Sequence, residues 1–264
     1  MKVSQITSLN NDRVRRVQAL MRSTRRRLHE GLFAIEGRRL VQEALDAGLP
    51  LVEVFFTADF AADPAGQALV EAVCERSGSC WEVPASVFAV LADTETPQGV
   101  LAVLPLPDLP LPPDDASGLV LIPDGVRDPG NLGTILRAAW AAGVAQVWLP
   151  PGTADVTNPK VVRAGMGAHF HVPMRRATWD ELQEGLAGFS VWLAEAGHGV
   201  AYDAVDWRGR MALIVGGEAT GPGAAARALN GAHGVYIPMA AGVDSLNVAV
   251  ATAVLLFEAA RQRR

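Results

Sequence analysis

The chain has 264 residues, half of them apolar and 19% charged, with a formal net charge of −5; this is the makeup of a globular protein of one large domain or two small ones. No apolar run is long enough to span a bilayer, and the start MKVSQITSLNNDRVRR lacks the apolar core of a signal peptide, so a membrane partner is not expected. The two cysteines, Cys74 and Cys80, have no metal-type spacing and no partner cluster, which points to a reducing, cytoplasmic home.

The overall charge hides an asymmetry. Residues 1–39 hold ten Lys or Arg against three acids, whereas residues 40–264 hold thirteen against twenty-five. A basic arm on an acidic chain suits a polyanion, and Arg25, Arg26 and Arg27 are its densest cluster. The same cluster also fits a solvated helix face.

In chain order, residues 10–28 are predicted helical, with Val14, Val17, Leu20 and Met21 on one face. LFAIEG reads as a strand ending at Gly37, and Arg38 to Ala47 as a helix stopped by Gly48 and Pro50. LVEVFFT is a second strand, 65–77 a helix, CWEV a third strand and Ser86 to Leu91 a short helix, before GVLAVL closes a small α/β module. The stretch from Leu104 to Asp115 holds five prolines in twelve residues, which prevents helix and favours a semi-stiff connector. The expected division is a first domain over 1–104, a linker over 105–117 and a second domain over 118–264.

The second domain alternates strand and helix. Strands are predicted at 119–124, 145–150, 189–195, 212–217 and 234–238, with helices near 131–142, 158–165, 178–187 and 222–229. The last helix runs from about Leu246 to Arg261. Near-continuous apolar strands in this alternation imply a parallel sheet covered on both faces. The final helix is apolar almost all round, through Val248, Val250, Val254, Leu255, Leu256 and Phe257, so burial is expected, part of it against a second subunit.

Three segments sit where strands give way to loops or helices: NLGTILR (Asn131 to Arg137), IVGGEATGPG (Ile214 to Gly223) and YIPMAAGVDSLNVAVA (Tyr236 to Ala251). Open α/β sheets bind ligands at the carboxyl ends of their strands, so one composite site is expected. Asp128 can cap the helix that Pro129 opens. Asn131, Gly133 and Arg137 are placed near its N-terminus, where an Arg beside free N–H groups makes an anion site. The glycine loop is neither a P-loop nor a dinucleotide fingerprint. Ser245 can cap the last helix, and a Met and a Leu there can sandwich a flat ring. His169 and His171 alternate as on a strand, and with no third ligand nearby no metal is expected.

Taken in order, the three segments resemble the signature motifs of the SpoU (TrmH-type) RNA 2′-O-ribose methyltransferases of the SPOUT superfamily. FAIEGRRLVQEAL and TPQGVLAV resemble the substrate-binding domain found upstream in such enzymes. The glycine loop departs from the compact GxEGxG of many relatives over Gly217 to Gly223. The resemblance implies a C-terminal parallel α/β sheet with a deep trefoil knot and S-adenosylmethionine as cofactor. It implies cofactor binding at Gly216, Gly217, Ile237, Met239, Leu246 and Asn247. It implies catalytic roles for Asn131, Arg137, Glu218, Ser245 and Asn247, with Arg137 as the base for the 2′-hydroxyl proton; binding the adjacent phosphate and stabilising charge at the hydroxyl is the alternative role for that arginine. RNA contacts are expected from Arg25, Arg26, Arg27, Arg38 and Arg137. A homodimer acting on RNA, ribosomal rather than transfer RNA, is implied. A non-catalytic RNA-binding relative and a nucleotide-dependent dehydrogenase are the competing readings; the five polar positions speak against the first, the missing fingerprint against the second.

Overall fold

The protein is described by a computed structural model covering residues 3–112, 118–217 and 221–264. Part of the proline-rich connector (113–117) and Glu218 lie outside the described residues. Contacts divide the chain into two units, Met1–Pro107 with Thr157–Phe170, and Asp108–Val156 with His171–Arg264.

The first unit runs β1 (Val3–Gln5), α1 (Asp12–Arg22), α2 (Thr24–Glu30), β2 (Leu32–Glu36), α3 (Arg38–Asp46), β3 (Glu53–Phe56), α4 (Ala58–Ala62), α5 (Pro64–Arg76), β4 (Cys80–Glu82), α6 (Ala85–Leu91) and β5 (Val100–Pro105). Its sheet has the order β1-β4-β3-β5-β2. Alternate side chains of a strand face opposite sides. Phe33 and Ile35 of β2 accordingly join one core with Val54, Phe56, Val100 and Ala102. Leu32 and Ala34 join the other, with Phe55, Leu101 and Val103. Both faces are buried, which is why these strands read as continuous apolar runs. A helix further along the chain, α8 (Pro159–Gly165), also belongs to this unit, and Val162 and Phe170 pack into the first core.

The single helix expected over residues 10–28 is two. Ser23 is extended (φ −128°, ψ 112°) and its side chain accepts from the Arg26 amide, capping α2. The rotation of α2 then separates the three arginines. Arg27 is only 2% exposed. Its guanidinium donates to the Leu20 carbonyl at 2.6 Å, to Thr157 Oγ1 at 3.0 Å and to Thr24 Oγ1 at 3.1 Å. This corrects the expectation that Arg27 contacts RNA: its donors are spent inside the fold. Arg25 is exposed, and Arg26 is half-exposed and paired with Glu30. Arg38 is half-exposed, paired with Asp63 and over the Phe60 ring.

Arg27→Ala is expected to destabilise the protein by about 2–4 kcal/mol, since a buried charged donor and its acceptors lose their partners. Arg25→Ala should stay within about 0.5 kcal/mol. Urea unfolding midpoints check both.

Cys74 and Cys80 form a disulfide between α5 and β4, so the cysteines do not support the reducing home expected from their spacing.

The second unit contains β6 (Leu119–Asp124), α7 (Pro129–Ala141), β7 (Gln146–Leu149), β8 (Met174–Arg176), α9 (Trp179–Gly185), β9 (Ser190–Ala194), β10 (Val200–Ala201), β11 (Met211–Gly216), α10 (Ala224–Arg227), β12 (Ala232–Tyr236) and α11 (Val248–Gln262). Its seven strands, in the order β10-β12-β9-β11-β6-β7-β8, are all parallel. The α/β class with a parallel sheet is as expected. Central β11 is buried at all six positions between β6 and β9.

Helix α11 buries Val248, Leu255 and Leu256 but leaves Val250 51% and Phe257 46% exposed, so its apolar surface is not all covered within the chain. The two histidines do not share a strand face: His169 lies buried in a 3-10 turn and His171 is exposed, stacked on Trp140.

Candidate active site

The parallel register sets the carboxyl ends of β6 and β11 side by side, with Gly216 opposite Asp124. The turn after β11 is drawn tight. A Cβ on Gly216 would overlap the Gly221 carbonyl carbon and the Pro222 nitrogen, and one on Gly217 would meet the Gly125 oxygen at 2.8 Å. Glycine is required here because backbone passes against backbone. Asp124 was not among the residues singled out from the sequence. Its buried carboxylate accepts the Gly223 amide at 2.6 Å and so holds the far side of the glycine loop. The available signal was an acid ending a wholly apolar strand, since a buried carboxylate has a partner.

A cavity of about 690 Å³ opens beside this turn. Gly216, Gly217, Ile237, Met239, Ser245 and Leu246 all line it. Among the described residues, the charged side chains on its wall are Glu195, Arg227 and Asp244. Arg227 is ion-paired to Glu195 and donates from Nε to the Pro222 carbonyl at 3.1 Å, bracing the loop against the end of β9. Thr252 also faces the cavity but spends its hydroxyl on the Val248 carbonyl at 2.7 Å. Much of the wall is therefore apolar side chain and strand-end backbone, in a volume typical of small-molecule sites. A flat heteroaromatic ring with a polar tail fits such a wall. Among the described residues no group of three His, Cys, Asp or Glu is placed to hold a metal ion.

The first and third segments meet next to this cavity. Asn247 Nδ2 donates to Asn131 Oδ1 at 3.0 Å across 116 positions of sequence. The other face of the Asn247 amide caps α11, its oxygen accepting from the Ala249 and Val250 amides at 2.9 and 3.3 Å. Asn247 is thus the cap expected of Ser245, which leaves the Ser245 side chain exposed at the cavity. Neither asparagine lines the cavity itself. At the other end of this pair, Asp128 accepts the Asn131 amide at 2.7 Å and caps α7.

Arg137 is not at a helix start. It is the ninth of thirteen residues of α7, exposed, and away from the N-terminal amides. Its guanidinium is outside the cavity wall and has no ion pair among the described residues. An exposed, unpaired arginine projecting from a rigid helix is suited to an anion arriving from solvent.

Residues 118–257 match the SpoU rRNA methylase family, and residues 11–102 match the MRM3-like substrate binding domain. The 23S rRNA (guanosine(2553)-2′-O)-methyltransferase RlmP of Bacillus subtilis is 34% identical, over 97% of this chain and 98% of its own. The mitochondrial rRNA methyltransferase 3 of Mus musculus is 32% identical, over 96% of this chain and 72% of its own. Among solved structures, the AdoMet-bound rRNA methyltransferase of Sinorhizobium meliloti superposes with a TM-score of 0.85 at 31% identity, covering 98% of each chain. AviRb of Streptomyces viridochromogenes, in complex with AdoMet, does so with a TM-score of 0.86 at 28% identity, over 96% of this chain and 98% of its own. The chain shares its fold with these two solved structures over nearly its whole length. The chain belongs to the SpoU rRNA methylase family.

Proposed function

We propose that the protein transfers a methyl group from S-adenosylmethionine to a ribose 2′-hydroxyl of ribosomal RNA. The observation that carries this reading is that the second and third motif segments line one cavity, with the first segment tied to the third beside it through the Asn131–Asn247 hydrogen bond. The cofactor supplies an electrophilic methyl group on a sulfonium sulfur. Gly216, Gly217 and Ile237, which line the cavity, would hold its adenine through backbone, and Met239 and Leu246 would supply apolar wall to the ring. Asn247 contributes by capping α11 and fixing Asn131. Arg137 binds the phosphate beside the target ribose and stabilises the charge that grows on the 2′-oxygen as its proton passes to solvent water and the methyl group leaves the sulfonium, which becomes a neutral thioether. A guanidinium is a poor base at neutral pH, so its role is electrostatic rather than basic. The glutamate at position 218 lies outside the described residues.

Ribosomal RNA is preferred over transfer RNA because the chain carries the substrate-binding domain and its full-length relatives bear rRNA names. The first unit, through Arg25, Arg26 and Arg38, anchors RNA by phosphates and leaves the choice of base to other contacts. The protein works in the cytoplasm as a homodimer whose last segments thread the family's knot. The apolar stripe of Val250 and Phe257, seven residues apart on α11, with Val243 and Leu246 before it, supports a covering subunit. Val250→Glu with Phe257→Glu is expected to turn a dimer into a monomer in light scattering after size exclusion. An unchanged mass would remove α11 from the interface.

Mapping 2′-O-methyl positions in ribosomal RNA from cells with and without the protein tests the proposal. One or more positions should lose the modification. An unchanged map across ribosomal RNA, with a loss in transfer RNA, would reassign the substrate.

A further inference from the structure

The same seven-stranded sheet has a second cavity at its opposite end, where the strands begin. It measures about 500 Å³ and is bordered by Gly118 and Ala145, which precede β6 and β7. Two arginines line it, each laid on an aromatic ring that also lines it. The Arg175 guanidinium carbon is 3.7 Å from the Trp148 ring centre, and that of Arg210 is 4.4 Å from the Phe189 ring centre. Among the described residues neither arginine forms an ion pair, and the Nε of each is buried without a hydrogen-bond partner.

A guanidinium stacked on a ring keeps its face occupied and its N–H edges free. Stacking also holds the side chain in place, so little freedom is lost when the edges find an acceptor. Buried donors without acceptors are costly, and a ligand that supplies acceptors removes that cost. Gly185 lets this stacked pair pack close against α9: a Cβ there would stand 2.6 Å from the Trp148 ring and 3.1 Å from Arg175 Nη2. Two acids also line the cavity, Glu181 and Glu184. Glu181 is committed to the Thr178 amide at 2.7 Å and hydroxyl at 2.9 Å in the cap of α9. Among the described residues of the wall, Glu184 is the other carboxylate, and of the two guanidinium groups Arg175 lies near enough to Glu181 to act on its charge.

We propose that this cavity is a second ligand site that binds the phosphate group of a nucleotide unit through Arg175 and Arg210. Paired guanidinium edges match phosphate oxygens in bidentate geometry. The volume admits a nucleotide rather than an inorganic ion alone. The phosphate comes from an RNA strand or from a free nucleotide; the chemistry at the two arginines is the same, and the experiment separates the sources. The site lies away from the cofactor cavity, so its occupation does not depend on methyl transfer.

The test uses the full-length protein with its cofactor cavity saturated by S-adenosylhomocysteine, which keeps nucleotides out of that cavity. Uridine 5′-monophosphate and a short oligouridylate are titrated by calorimetry into wild type, Arg175→Gln/Arg210→Gln and Arg175→Lys/Arg210→Lys. Wild type should bind at least one probe, and the glutamine pair should bind it at least tenfold more weakly. The lysine pair, which keeps the charge but loses the planar fork, should fall between them. Oligouridylate binding more tightly than the monophosphate identifies RNA as the source, and the reverse identifies a free nucleotide. Unchanged S-adenosylhomocysteine affinity certifies that each variant is folded; should the glutamine pair fail this check, Arg210→Gln alone must still weaken binding at least threefold. Equal affinity in wild type and folded variants, or no binding by wild type, overturns the proposal.

Discussion

Arg137→Ala is expected to lower the rate of methyl transfer by roughly 100- to 1000-fold, the loss seen when one charge-stabilising donor is removed from a reacting oxygen. Cofactor affinity should stay within about twofold. The reason is positional: Arg137 stands exposed on α7 and outside the wall of the cavity, so no cofactor contact is lost. Arg137→Lys should recover only part of the rate, because an ammonium keeps the charge without the bidentate fork. Single-turnover rates and calorimetric cofactor affinities on the same preparations separate the two effects. Substantial turnover by Arg137→Ala would make it an ordinary surface arginine.

Gly216→Val is expected to do the reverse, abolishing cofactor binding by 100-fold or more while sparing affinity for RNA. Any Cβ at this position overlaps backbone of Gly221 and Pro222 rather than a movable side chain. The loop cannot step back freely, because Asp124 holds the Gly223 amide and Arg227 holds the Pro222 carbonyl. Overpacking of this kind also destabilises by about 1–3 kcal/mol. Titration of S-adenosylhomocysteine, with RNA binding measured in parallel, checks the prediction. Near-normal cofactor affinity would mean that the glycine turn does not shape the cavity.

Much of this fold was legible because its strands are buried on both faces. Runs such as Leu119 to Asp124 and Met211 to Gly216 are apolar throughout, and no helical period competes with that pattern. Short elements were missed for the opposite reason: β8 and β10 have three and two residues, too few to carry a period. The break at Ser23 was invisible because serine is near neutral within a helix and becomes decisive only as a cap.

The site divides in the same way. Glycines and the Ile237–Leu246 segment announced themselves through residue type at strand ends. The partnership of Asn131 with Asn247 spans 116 positions, and nothing local predicts which asparagine meets which. Arg25, Arg26 and Arg27 look alike in sequence, yet only Arg27 is carried inward, because burial depends on helix rotation and on Thr157 arriving from far along the chain. That arrival has a practical result. A fragment of residues 116–264 would strip Val162 and Phe170 from the core they complete, so cofactor binding is best measured on the whole chain.

The most direct test of the central claim is methyl transfer in vitro from labelled S-adenosylmethionine to unmodified ribosomal RNA, followed by digestion to nucleosides and mass spectrometry. The account predicts label in a single 2′-O-methylated nucleoside, with the methyl group on the ribose, and its loss with Arg137→Ala. Label on a base, or no transfer by folded protein that binds the cofactor, would contradict it.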